Sequence, residues 1–444
     1  MLFKDKGKSK TKSILVVNTG PAKKEFIFKK LHSLGLRIYC LHREKNWAQK
    51  YADQWIIADT NNEEESLAAL KEFLKVKKID GVITFWEQDV ELAAKICEQY
   101  GFAGNSYEVA NKVRNKYKFR SFCQKHSLPY PKYKVINQVK DLSEVVASFV
   151  FPLVIKPKVG SNSLDVQKVE NPKELLKVYR NLVKKYHQGE ILIEEFLAGP
   201  EVDLDILVQA GQVKFCGISD NKMMEPYFVE MGRVTPSQLS QRQQEELIQM
   251  AEKVLGELGV INSLVHFEAR YTSKGPVPIE VNLRLGGDEV YPSTKKAWNV
   301  DLIEGAVRIA LGLELPVKKF KTITNKCLVS YDFLAQRSGK FSAVKINSKL
   351  KSQLFYEKIQ FLKNIGDQVL APPQGWDYLG WVMVSGKDYQ EARQNLDQAV
   401  GMVRCQIRGN NRFSSGLRKL KKILKSEIFT KIGKNAYSYL TRMF

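Results

Sequence analysis

Two carboxylates, an amide and a guanidinium are spaced along HFEARYTSKGPVPIEVNLRLGGD, residues 266–288. The stretch contains two apolar runs joined by a short turn, which predicts a pair of strands. Glu280 and Asn282 are two positions apart, so on a strand they point to one face. Glu268 on the preceding strand can face them, and Arg284 continues the same face. Oxygen ligands of this kind suit Mg²⁺ held together with substrate phosphates.

The plain alternative for this stretch is a solvated sheet surface. The residues between the polar positions, Ile279, Val281 and Leu283, are apolar. This alternation indicates that one face of the strand is apolar and packs on the protein, while the other face carries the polar side chains. Polar side chains are costly to bury without partners, so a ligand or metal would explain them. His266 shares the face of Glu268, and we expect it to pack beside the site or contact substrate rather than ligate metal.

Length and composition indicate an ordinary globular protein. The chain has 444 residues and 50.8 kDa, with 44% hydrophobic and 27% charged residues, enough for two to four domains. No apolar run approaches the roughly 20 residues that span a bilayer, and the Lys-rich N-terminus lacks the apolar segment of a secretory signal. The six cysteines form no C-x-x-C pair, so we expect a reducing, cytoplasmic location without structural zinc.

The net charge of +22 is concentrated at the two ends of the chain. Residues 1–12 carry +4 and residues 404–444 carry +10, which leaves +8 for the body. Leu417, Leu420 and Leu424 recur at helical spacing between lysines, so the tail predicts a basic amphipathic helix. Such a helix can rest on an anionic membrane or on nucleic acid, but we favour a solvated helix that docks weakly on the body.

The order of predicted elements indicates an α/β and α+β fold. Short strands alternate with helices over residues 13–110, which is typical of a parallel sheet. Strand-like runs with few helices dominate residues 111–315, where one helix is predicted from Ala110 to Cys123. A third α+β segment covers residues 316–405. A basic extension (1–12) and a basic tail (406–444) flank these units. The chain lacks G-x-G-x-x-G and the Walker A loop, so a dinucleotide site and a P-loop are poorly supported.

Two further motifs are compatible with phosphate or nucleotide binding. The strand FPLVIKP delivers Lys156 at its end, and the small-residue loop Gly160–Ser163 follows, which can cradle an anion with backbone N–H groups. Glu194–Leu197 can offer its backbone to an adenine edge, and Glu201 can accept from ribose hydroxyls. Taken singly, the Lys156 motif is a weak signal, and for residues 194–201 an exposed acidic turn between two strands is the better interpretation.

The order of these motifs resembles that of the ATP-grasp superfamily over roughly residues 13–400. Within it, the chain is most similar to carboxylate–amine ligases that include bacterial L-amino acid ligases and carnosine synthase. The most specific stretch is residues 266–287, above all YTSKGP…IEVNLRLGG. The resemblance implies an ATP-grasp fold with an N-terminal α/β domain and an enzyme that uses ATP and Mg²⁺, or Mn²⁺ in its place.

The resemblance also implies a role for each matched residue. Phosphate contacts fall to Lys116 and Lys156, and the lid over the phosphates to Ser161 and Ser163 in Gly160–Ser163. The remaining roles are adenine binding by Glu194, Glu195, Phe196 and Leu197, ribose binding by Glu201, metal ligation by Glu268, Glu280 and Asn282, and stabilisation of acyl phosphate and oxyanion by Arg284.

In the resembling ligases, the region of residues 219–240 helps to form the acceptor pocket. Here Glu230 can attract a substrate ammonium and Arg233 a substrate carboxylate, although an ordinary surface loop has equal weight. The lid departs from the family pattern because Asp165 adds negative charge close to the phosphates.

The implied reaction converts a carboxylate to an acyl phosphate and joins it to an amine, releasing ADP and phosphate. Small-molecule acids and amines are therefore the expected partners, and homodimers are common in the resembling family. One alternative keeps the fold and joins an amino acid to a non-amino-acid acid or enol, as in mycosporine-type pathways. Another is a non-catalytic nucleotide-binding protein that uses its basic ends for membrane or nucleic-acid association.

Overall fold

The computed structural model describes most of the chain, namely residues 11–160, 163–187, 189–287, 289–316 and 326–409. Ser161, most of the basic extension and nearly all of the basic tail therefore lie outside the described residues. No helix in the described ranges is both long enough and apolar enough to cross a lipid bilayer.

The chain begins with a four-stranded parallel sheet, as the alternation over residues 13–110 predicted. Its strands are β1 (Ser13–Val17), β2 (Arg37–His42), β3 (Gln54–Ile57) and β4 (Gly81–Ile83), connected by α1 (Glu25–Ser33), α2 (Glu63–Leu74) and followed by α3 (Val90–Tyr100). The strand order is β3-β2-β1-β4 and every pairing is parallel. Helix α3 ends at Gly101, which adopts the left-handed conformation that glycine tolerates best.

Two helices, α4 (Tyr107–Arg114) and α5 (Lys116–Lys125), replace the single helix predicted from Ala110 to Cys123. The interruption is Asn115, whose backbone is extended and whose side chain accepts a hydrogen bond from the N–H of Lys118. Asparagine competes for backbone hydrogen bonds in this way and is favoured at helix N-caps. A new helix therefore starts at Lys116.

A small antiparallel sheet follows. It contains β5 (Tyr133–Ile136), β6 (Leu153–Pro157), β7 (Gln167–Val169) and β8 (Ile191–Glu195), with α6 (Asp141–Ser148) and α7 (Pro172–Leu182) packed on it. The strand order is β5-β8-β6-β7. Its core is separate from the other cores and is built from residues such as Leu153, Ile155 and Ile193.

The remaining strands form one large sheet and one small sheet. They are β9 (Glu201–Gln209), β10 (Gln212–Met224), β11 (Val229–Thr235), β12 (Ser263–Thr272), β13 (Gly275–Asn282), β14 (Cys327–Leu334), β15 (Gly339–Ile346), β16 (Tyr356–Phe361), β17 (Gln368–Val369), β18 (Tyr378–Gly386) and β19 (Val403–Arg408). Four helices accompany them, α8 (Gln241–Leu258), α9 (Val290–Trp298), α10 (Leu302–Ala310) and α11 (Tyr389–Gly401).

The eight-stranded sheet has the order β13-β12-β9-β10-β11-β14-β18-β16, and the three-stranded sheet has the order β17-β15-β19. Strands from both sides of residue 316 thus share one sheet. The division of the chain at residues 315 and 316 stays a prediction about domains, but it does not divide the sheet.

Two further expectations differ from the structure. Residues 219–240 contain the end of β10 and the whole of β11, which pair as a hairpin, so this region is not a surface loop. Gln406, Ile407 and Arg408 belong to β19, which pairs with β15, so the basic tail begins after this strand rather than at residue 406. Alternation of apolar and polar residues is weak in β11 (VEMGRVT), which hides that strand from sequence reasoning, whereas β19 (VRCQIR) does alternate and carried a usable signal.

The N-terminal sheet is packed directly on the central unit. One apolar core joins Ile14 and Phe28 of the first unit to Ile303 and Val307 of α10, together with Leu285 just beyond β13. The chain between β13 and α9 therefore lies at the junction of the two units.

Candidate functional site

Glu268 and Glu280 face each other across neighbouring strands. In the antiparallel register of β12 and β13, Glu268 is opposite Glu280 and His266 is opposite Asn282. The predicted strand pair and its shared polar face are therefore present. Arg284 lies two residues beyond the end of β13, so it approaches the same site from the following turn.

The two glutamates have opposite pKa displacements. Burial raises the pKa of Glu268 well above its usual range, and the nearby carboxylates of Glu280 and Asp203 raise it further. Burial also acts to raise the pKa of Glu280, but Lys116, with Nζ 3.0 Å from Oε2, outweighs it and lowers that pKa. The carboxylate of Glu280 is therefore paired with a lysine, whereas no lysine or arginine among the described residues forms an ion pair with Glu268.

The donor atoms around Asn282 fit a divalent cation. One side-chain amide atom of Asn282 faces Glu87. This atom lies 2.8 Å from Glu87 Oε2, 3.0 Å from Glu87 Oε1 and 3.1 Å from Glu280 Oε1. Hydrogen bonds would require nitrogen at this position, whereas oxygen there completes an all-oxygen donor set, which hard cations prefer. The described residues contain no cluster of three or more His, Cys, Asp and Glu side chains that could hold a metal ion. The amide oxygen of Asn282 would therefore have to serve as a further ligand beside the carboxylates.

Two lysines flank the carboxylates. Lys116, the first residue of α5, donates to the carbonyl oxygen of Gly160 at 3.1 Å in addition to its contact with Glu280. Lys156 on β6 is buried, and its Nζ lies 2.6 Å from Glu194 Oε2. Burial lowers the pKa of Lys156, although Glu194 opposes this effect. Negatively charged phosphates bound beside Lys116 and Lys156 would offset the cost of burying the two ammonium groups.

The carboxylate of Glu194 is held by two cations, Arg120 and Lys156. Arg120 of α5 donates from Nε to Glu194 Oε1 at 2.7 Å and from Nη2 to the carbonyl oxygen of Ile279 at 2.8 Å. The side chain of Glu194 therefore links α5 to β6, and Arg120 extends this link to β13. The predicted contact of Glu194 with adenine is restricted to the backbone of β8.

The opposite end of the site is aromatic. The rings of Phe196 and Phe228 lie 6.1 Å apart, and the Arg270 guanidinium carbon lies 5.1 and 5.4 Å from their centroids. Arg270 also donates to Glu201 Oε2 at 2.9 Å and to the carbonyl oxygen of Leu197 at 2.8 Å. The residues expected to bind adenine and ribose therefore meet around one arginine.

Arg284 is positioned by the N-terminal unit. Its Nε donates to Glu87 Oε2 at 2.7 Å, and Arg114 Nη1 donates to Glu87 Oε1 at 2.6 Å. Glu87 lies in a single 3-10 turn, Glu87–Asp89, directly before α3. One carboxylate thus connects two arginines from different parts of the chain.

The predicted substrate residues have different surroundings. Glu230 on β11 projects into the open site, and no described side chain forms a hydrogen bond or ion pair with its carboxylate. Arg233 is only 3% exposed and donates to Asp203 and Asp205 at 2.9 Å each. His266 is hydrogen-bonded through Nδ1 to Asp205 at 2.8 Å.

The prediction that Arg233 binds a substrate carboxylate is not supported by this geometry. Both terminal nitrogens of its guanidinium are occupied by buried aspartates, and the side chain does not line the cavity. Glu230 keeps the role predicted for it as a proposal. His266 lines the cavity but is anchored to Asp205, as expected for a residue that packs beside the site.

These groups surround one cavity of about 580 Å³. The predicted residues that line it are Lys116, Lys156, Ser163, Glu194, Glu195, Phe196, Leu197, Glu201, Glu230, His266, Glu268, Glu280 and Arg284. Asp165, which the sequence placed close to the phosphates, instead bonds to Lys185 Nζ and to the hydroxyl of Tyr186 at 2.9 Å each. The negative charge of the lid residue is therefore held away from the cavity.

Sequence reasoning missed Glu87, Arg120, Arg270 and Asp203. Glu87 and Arg120 come from segments far from residue 266 in the chain, and only the fold brings them near it. Arg270 and Asp203 had a usable signal, because each is a charged residue within an apolar strand that needs a partner when buried.

Three family models match separate parts of the chain. Residues 28–104 match an ATP-grasp N-terminal domain, residues 149–291 an ATP-grasp domain, and residues 333–408 the L-amino acid ligase C-terminal domain 2. The central match includes the strand pair β12 and β13 with its polar face.

Curated relatives are distant but extend over much of the chain. Human carnosine synthase 1 is 24% identical over 422 residues, which cover 87% of this chain and 50% of that protein. The L-arginine-specific L-amino acid ligase of Bacillus subtilis is 21% identical over 265 residues, 58% of this chain and 64% of that protein. The chain spans about half the length of the carnosine synthases that it matches.

Solved structures share the fold. The L-amino acid ligase from Bacillus licheniformis has a TM-score of 0.78 at 22% identity and covers 90% of this chain and 100% of that one. A biotin carboxylase domain dimer from Hydrogenobacter thermophilus, in complex with MgADP, has a TM-score of 0.67 at 18% identity, with 89% and 91% covered. The fold is therefore an ATP-grasp fold preceded by an N-terminal domain, as the resemblance implied.

Proposed function

We propose that this chain, which carries an ATP-grasp domain, is an ATP-dependent ligase that joins a carboxylate to an amine and releases ADP and phosphate. The observation that carries the proposal is the convergence of Glu268, Glu280, Lys116 and Arg284 on a single cavity, with Asn282 buried at the end of the same strand as Glu280. Three residues supply oxygens and two supply positive charge, which is the inventory that phosphoryl transfer needs.

The nucleotide lies along the cavity from the aromatic end to the acidic end. Phe196, Phe228 and Arg270 surround the base and ribose, with Glu201 accepting from ribose hydroxyls. Lys116 and Lys156 then hold the phosphates, and the ion pairs that they now make with Glu280 and Glu194 rearrange on binding. Glu268, Glu280 and Asn282 would hold Mg²⁺, which offsets phosphate charge and polarises the transferred group; Mn²⁺ suits the same oxygens.

In the first step, an oxygen of the substrate carboxylate attacks the γ-phosphorus of ATP, and the bond between that phosphorus and ADP breaks. Lys156 and Lys116 stabilise the negative charge that is redistributed over the phosphoryl oxygens. The product is an acyl phosphate, whose carbonyl carbon is a far better electrophile than that of a carboxylate.

In the second step, the amine nitrogen attacks the acyl carbon, the carbon–oxygen bond to phosphate breaks and the nitrogen loses a proton. Arg284, held by Glu87, stabilises the oxyanion and the departing phosphate. Gly160 and Ser163, which line the cavity, help to exclude water, which would otherwise hydrolyse the intermediate.

Glu230 suggests that the activated acid is an amino acid. Its carboxylate lines the cavity without a cationic partner among the described residues, and burial with neighbouring Asp203 and Glu289 raises its pKa well above the usual range. A substrate ammonium would supply the missing positive charge. This favours an amino-acid or dipeptide-type product over the mycosporine-type alternative.

Assembly and location are also proposals. A dimer occurs in the similar biotin carboxylase structure, and we propose a homodimer here. The six cysteines are unpaired and four of them are buried, which fits the reducing cytoplasm.

The test measures the two half-reactions separately. Purified protein, ATP and Mg²⁺ are incubated with each of the twenty amino acids plus hydroxylamine, which traps an acyl phosphate as a hydroxamate, and then with amino-acid pairs. We expect acid-dependent ADP and hydroxamate for at least one acid, and a peptide by mass spectrometry. Glu280→Gln should lower both rates at least 100-fold, because the metal and Lys116 both depend on this carboxylate.

Glu245→Gln is the matched control, since Glu245 is an exposed glutamate on α8 that bonds only within its helix. Its rates should equal those of the unmodified protein. ATP binding without ADP formation for any acid would refute the ligase proposal and favour a non-catalytic nucleotide-binding protein.

A further inference from the structure

Asp165 is the acidic lid residue that departs from the family pattern, and its carboxylate has two partners in the structure. The hydroxyl of Tyr186 donates to Asp165 Oδ2 and Lys185 Nζ donates to Oδ1, at 2.9 Å each. The side chain of Asp165 is 15% exposed, whereas that of Lys185 is 59% exposed. Because an exposed ion pair contributes little, the hydrogen bond from Tyr186 is the main restraint on Asp165.

Asp165 belongs to a turn that borders the cavity of the proposed active site. The backbone N–H of Val166 donates to the carbonyl oxygen of Ser163 at 3.1 Å, which closes the turn. Ser163, Leu164 and Val166 line the cavity, as do the two lysines proposed to hold the phosphates, whereas Asp165 is absent from the lining. Three residues of the turn therefore contact the cavity, and the fourth ties the turn to the protein.

The backbone of this turn has a conformation that its residues disfavour. Ser163 has a φ of 51° and Asp165 a φ of 61°, both in the left-handed region that glycine adopts most easily. Such conformations persist where surrounding contacts hold them in place. The hydrogen bond from Tyr186 to Asp165 is a contact of this kind, so its loss should allow the turn to relax.

Tyr186 is itself held firmly. Its backbone N–H donates to the carbonyl oxygen of Leu182, the last residue of α7, at 2.9 Å. Its ring packs against the apolar core of the small antiparallel sheet. Burial raises the pKa of Tyr186 to about 12, and the hydrogen bond to Asp165 contributes. The hydroxyl therefore remains protonated at neutral pH and can donate to the carboxylate.

The chain that precedes the turn is fixed to α5. Lys116 donates its backbone N–H to the carbonyl oxygen of Lys158 at 2.9 Å and its ammonium to that of Gly160 at 3.1 Å. Lys158 donates in turn to the carbonyl oxygen of Glu190 at 2.8 Å. The described chain is thus tied down before the turn through Gly160 and within the turn through Asp165.

We propose that Asp165 is a positioning residue for nucleotide binding: bonded to Tyr186, it holds the turn Ser163–Val166 against the cavity and keeps its own carboxylate away from the phosphates. This role rests on the proposed function, in which the phosphates lie beside Lys116 and Lys156. Without the bond to Tyr186, the turn relaxes and the freed carboxylate repels the phosphates. Nucleotide binding then weakens, and more water reaches the acyl phosphate.

Tyr186→Phe tests this role, because it removes the hydroxyl and keeps the ring in the core. Two quantities are compared with those of the unmodified protein: the Kd of a non-hydrolysable ATP analogue with Mg²⁺, and the ADP formed per hydroxamate. We expect Kd and the KM for ATP to rise about tenfold and the ADP ratio at least threefold, with kcat for ADP formation within about twofold. A merely smaller folded fraction would lower kcat and leave the ratio unchanged.

A double-mutant cycle shows whether Tyr186 acts through Asp165. Asp165→Ala releases the turn without leaving a free carboxylate, so it should raise Kd less than Tyr186→Phe does. Addition of Tyr186→Phe to Asp165→Ala should then have no further effect. Additive effects of the two substitutions on Kd, or an unchanged Kd in both single variants, would overturn the positioning role.

Tyr133→Phe is the matched control, since the hydroxyl of Tyr133 on β5 donates to Gln124 at 2.9 Å and Tyr133 is not in the described cavity lining. Lys185→Met removes the exposed partner of Asp165. Both variants should keep Kd and the ADP ratio within about twofold of the unmodified protein.

The binding measurement separates this role from the function on which it rests. Absence of any hydroxamate in the unmodified protein would refute the ligase proposal, and a rise of Kd in Tyr186→Phe would still support the role of Asp165 in nucleotide binding. A normal hydroxamate together with an unaltered Kd in Tyr186→Phe would overturn the role of Asp165 alone.

Discussion

Individual side chains acquire their chemical roles from a few neighbours. Glu268 and Glu280 are the same residue type on facing positions of two strands, yet the pKa of the first is raised and that of the second is lowered. Lys116 accounts for the difference, because of these two glutamates it forms an ion pair with Glu280 alone. Glu87 acts in the same local manner, since its two oxygens determine where Arg284 and Arg114 point.

The buried carboxyl group of Asp89, which does not line the cavity, provides a test of how burial shifts the pKa of a single side chain. It is 1% exposed, and burial raises its pKa from 3.8 to about 6 despite hydrogen bonds from Asn18 and Thr60. Because the folded chain holds this proton more tightly than the unfolded chain, the stabilisation is complete below about pH 4 and is lost as pH rises through 6. A shift of about two pKa units corresponds to roughly 3 kcal/mol.

Denaturant unfolding at pH 4.5 and pH 7 measures this effect. The loss of unfolding free energy between the two pH values should be smaller in Asp89→Asn than in the unmodified protein. Asp80→Asn is the control of opposite sign, since hydrogen bonds from Ser13 lower the pKa of Asp80 against the effect of burial. An identical pH dependence in Asp89→Asn would contradict the assignment.

Secondary-structure elements deliver these side chains to the cavity. The break at Asn115 turns one predicted helix into two, and it places Lys116 at the first turn of α5 instead of in the middle of a helix. The hairpin of β10 and β11 carries Glu230 on a strand, where its direction is set by the pleat. Caps and registers, more than propensities, therefore decide which residues point inward.

The cap at Asn115 can be tested against a second asparagine cap. Asn115→Ala and Asn171→Ala each remove an N-cap whose side chain accepts backbone hydrogen bonds, so each should cost about 1 kcal/mol of stability. Only Asn115→Ala should also raise KM for ATP several-fold, because only α5 presents Lys116. Thermal unfolding and steady-state kinetics measure the two effects, and an equal KM change in both variants would show that the cap does not position the lysine.

The whole molecule closes the site by bringing distant units together. Residues from the N-terminal unit, such as Trp86 and Glu87, and residues from the C-terminal region, such as Trp376 and Tyr378, line the same cavity as the central strands. The described cavity lining extends from Pro21 to Tyr378. The large sheet continues across the predicted boundary at residue 315, so the C-terminal region is part of the framework of the site.

Truncation tests whether the basic tail belongs to the catalytic unit. Removal of residues 410–444 leaves β19 and every residue that lines the described cavity, so kcat/KM should remain within about twofold of the full chain. The same samples should differ in binding to anionic vesicles or nucleic acid at low salt if the tail has the contact role predicted for it. A collapse of turnover without a change in thermal unfolding would show that the tail takes part in the reaction.

The sequence by itself determined the strand pair with Glu268, Glu280 and Asn282, because a two-residue period and a short turn fix local geometry without help from the rest of the chain. It also determined the parallel N-terminal sheet and the resemblance to ATP-grasp ligases. Only the tertiary structure decided that Arg233 is buried between two aspartates and that Glu87 holds Arg284. Those contacts join residues far apart in the chain, and their partners depend on how whole units pack, which no local pattern encodes.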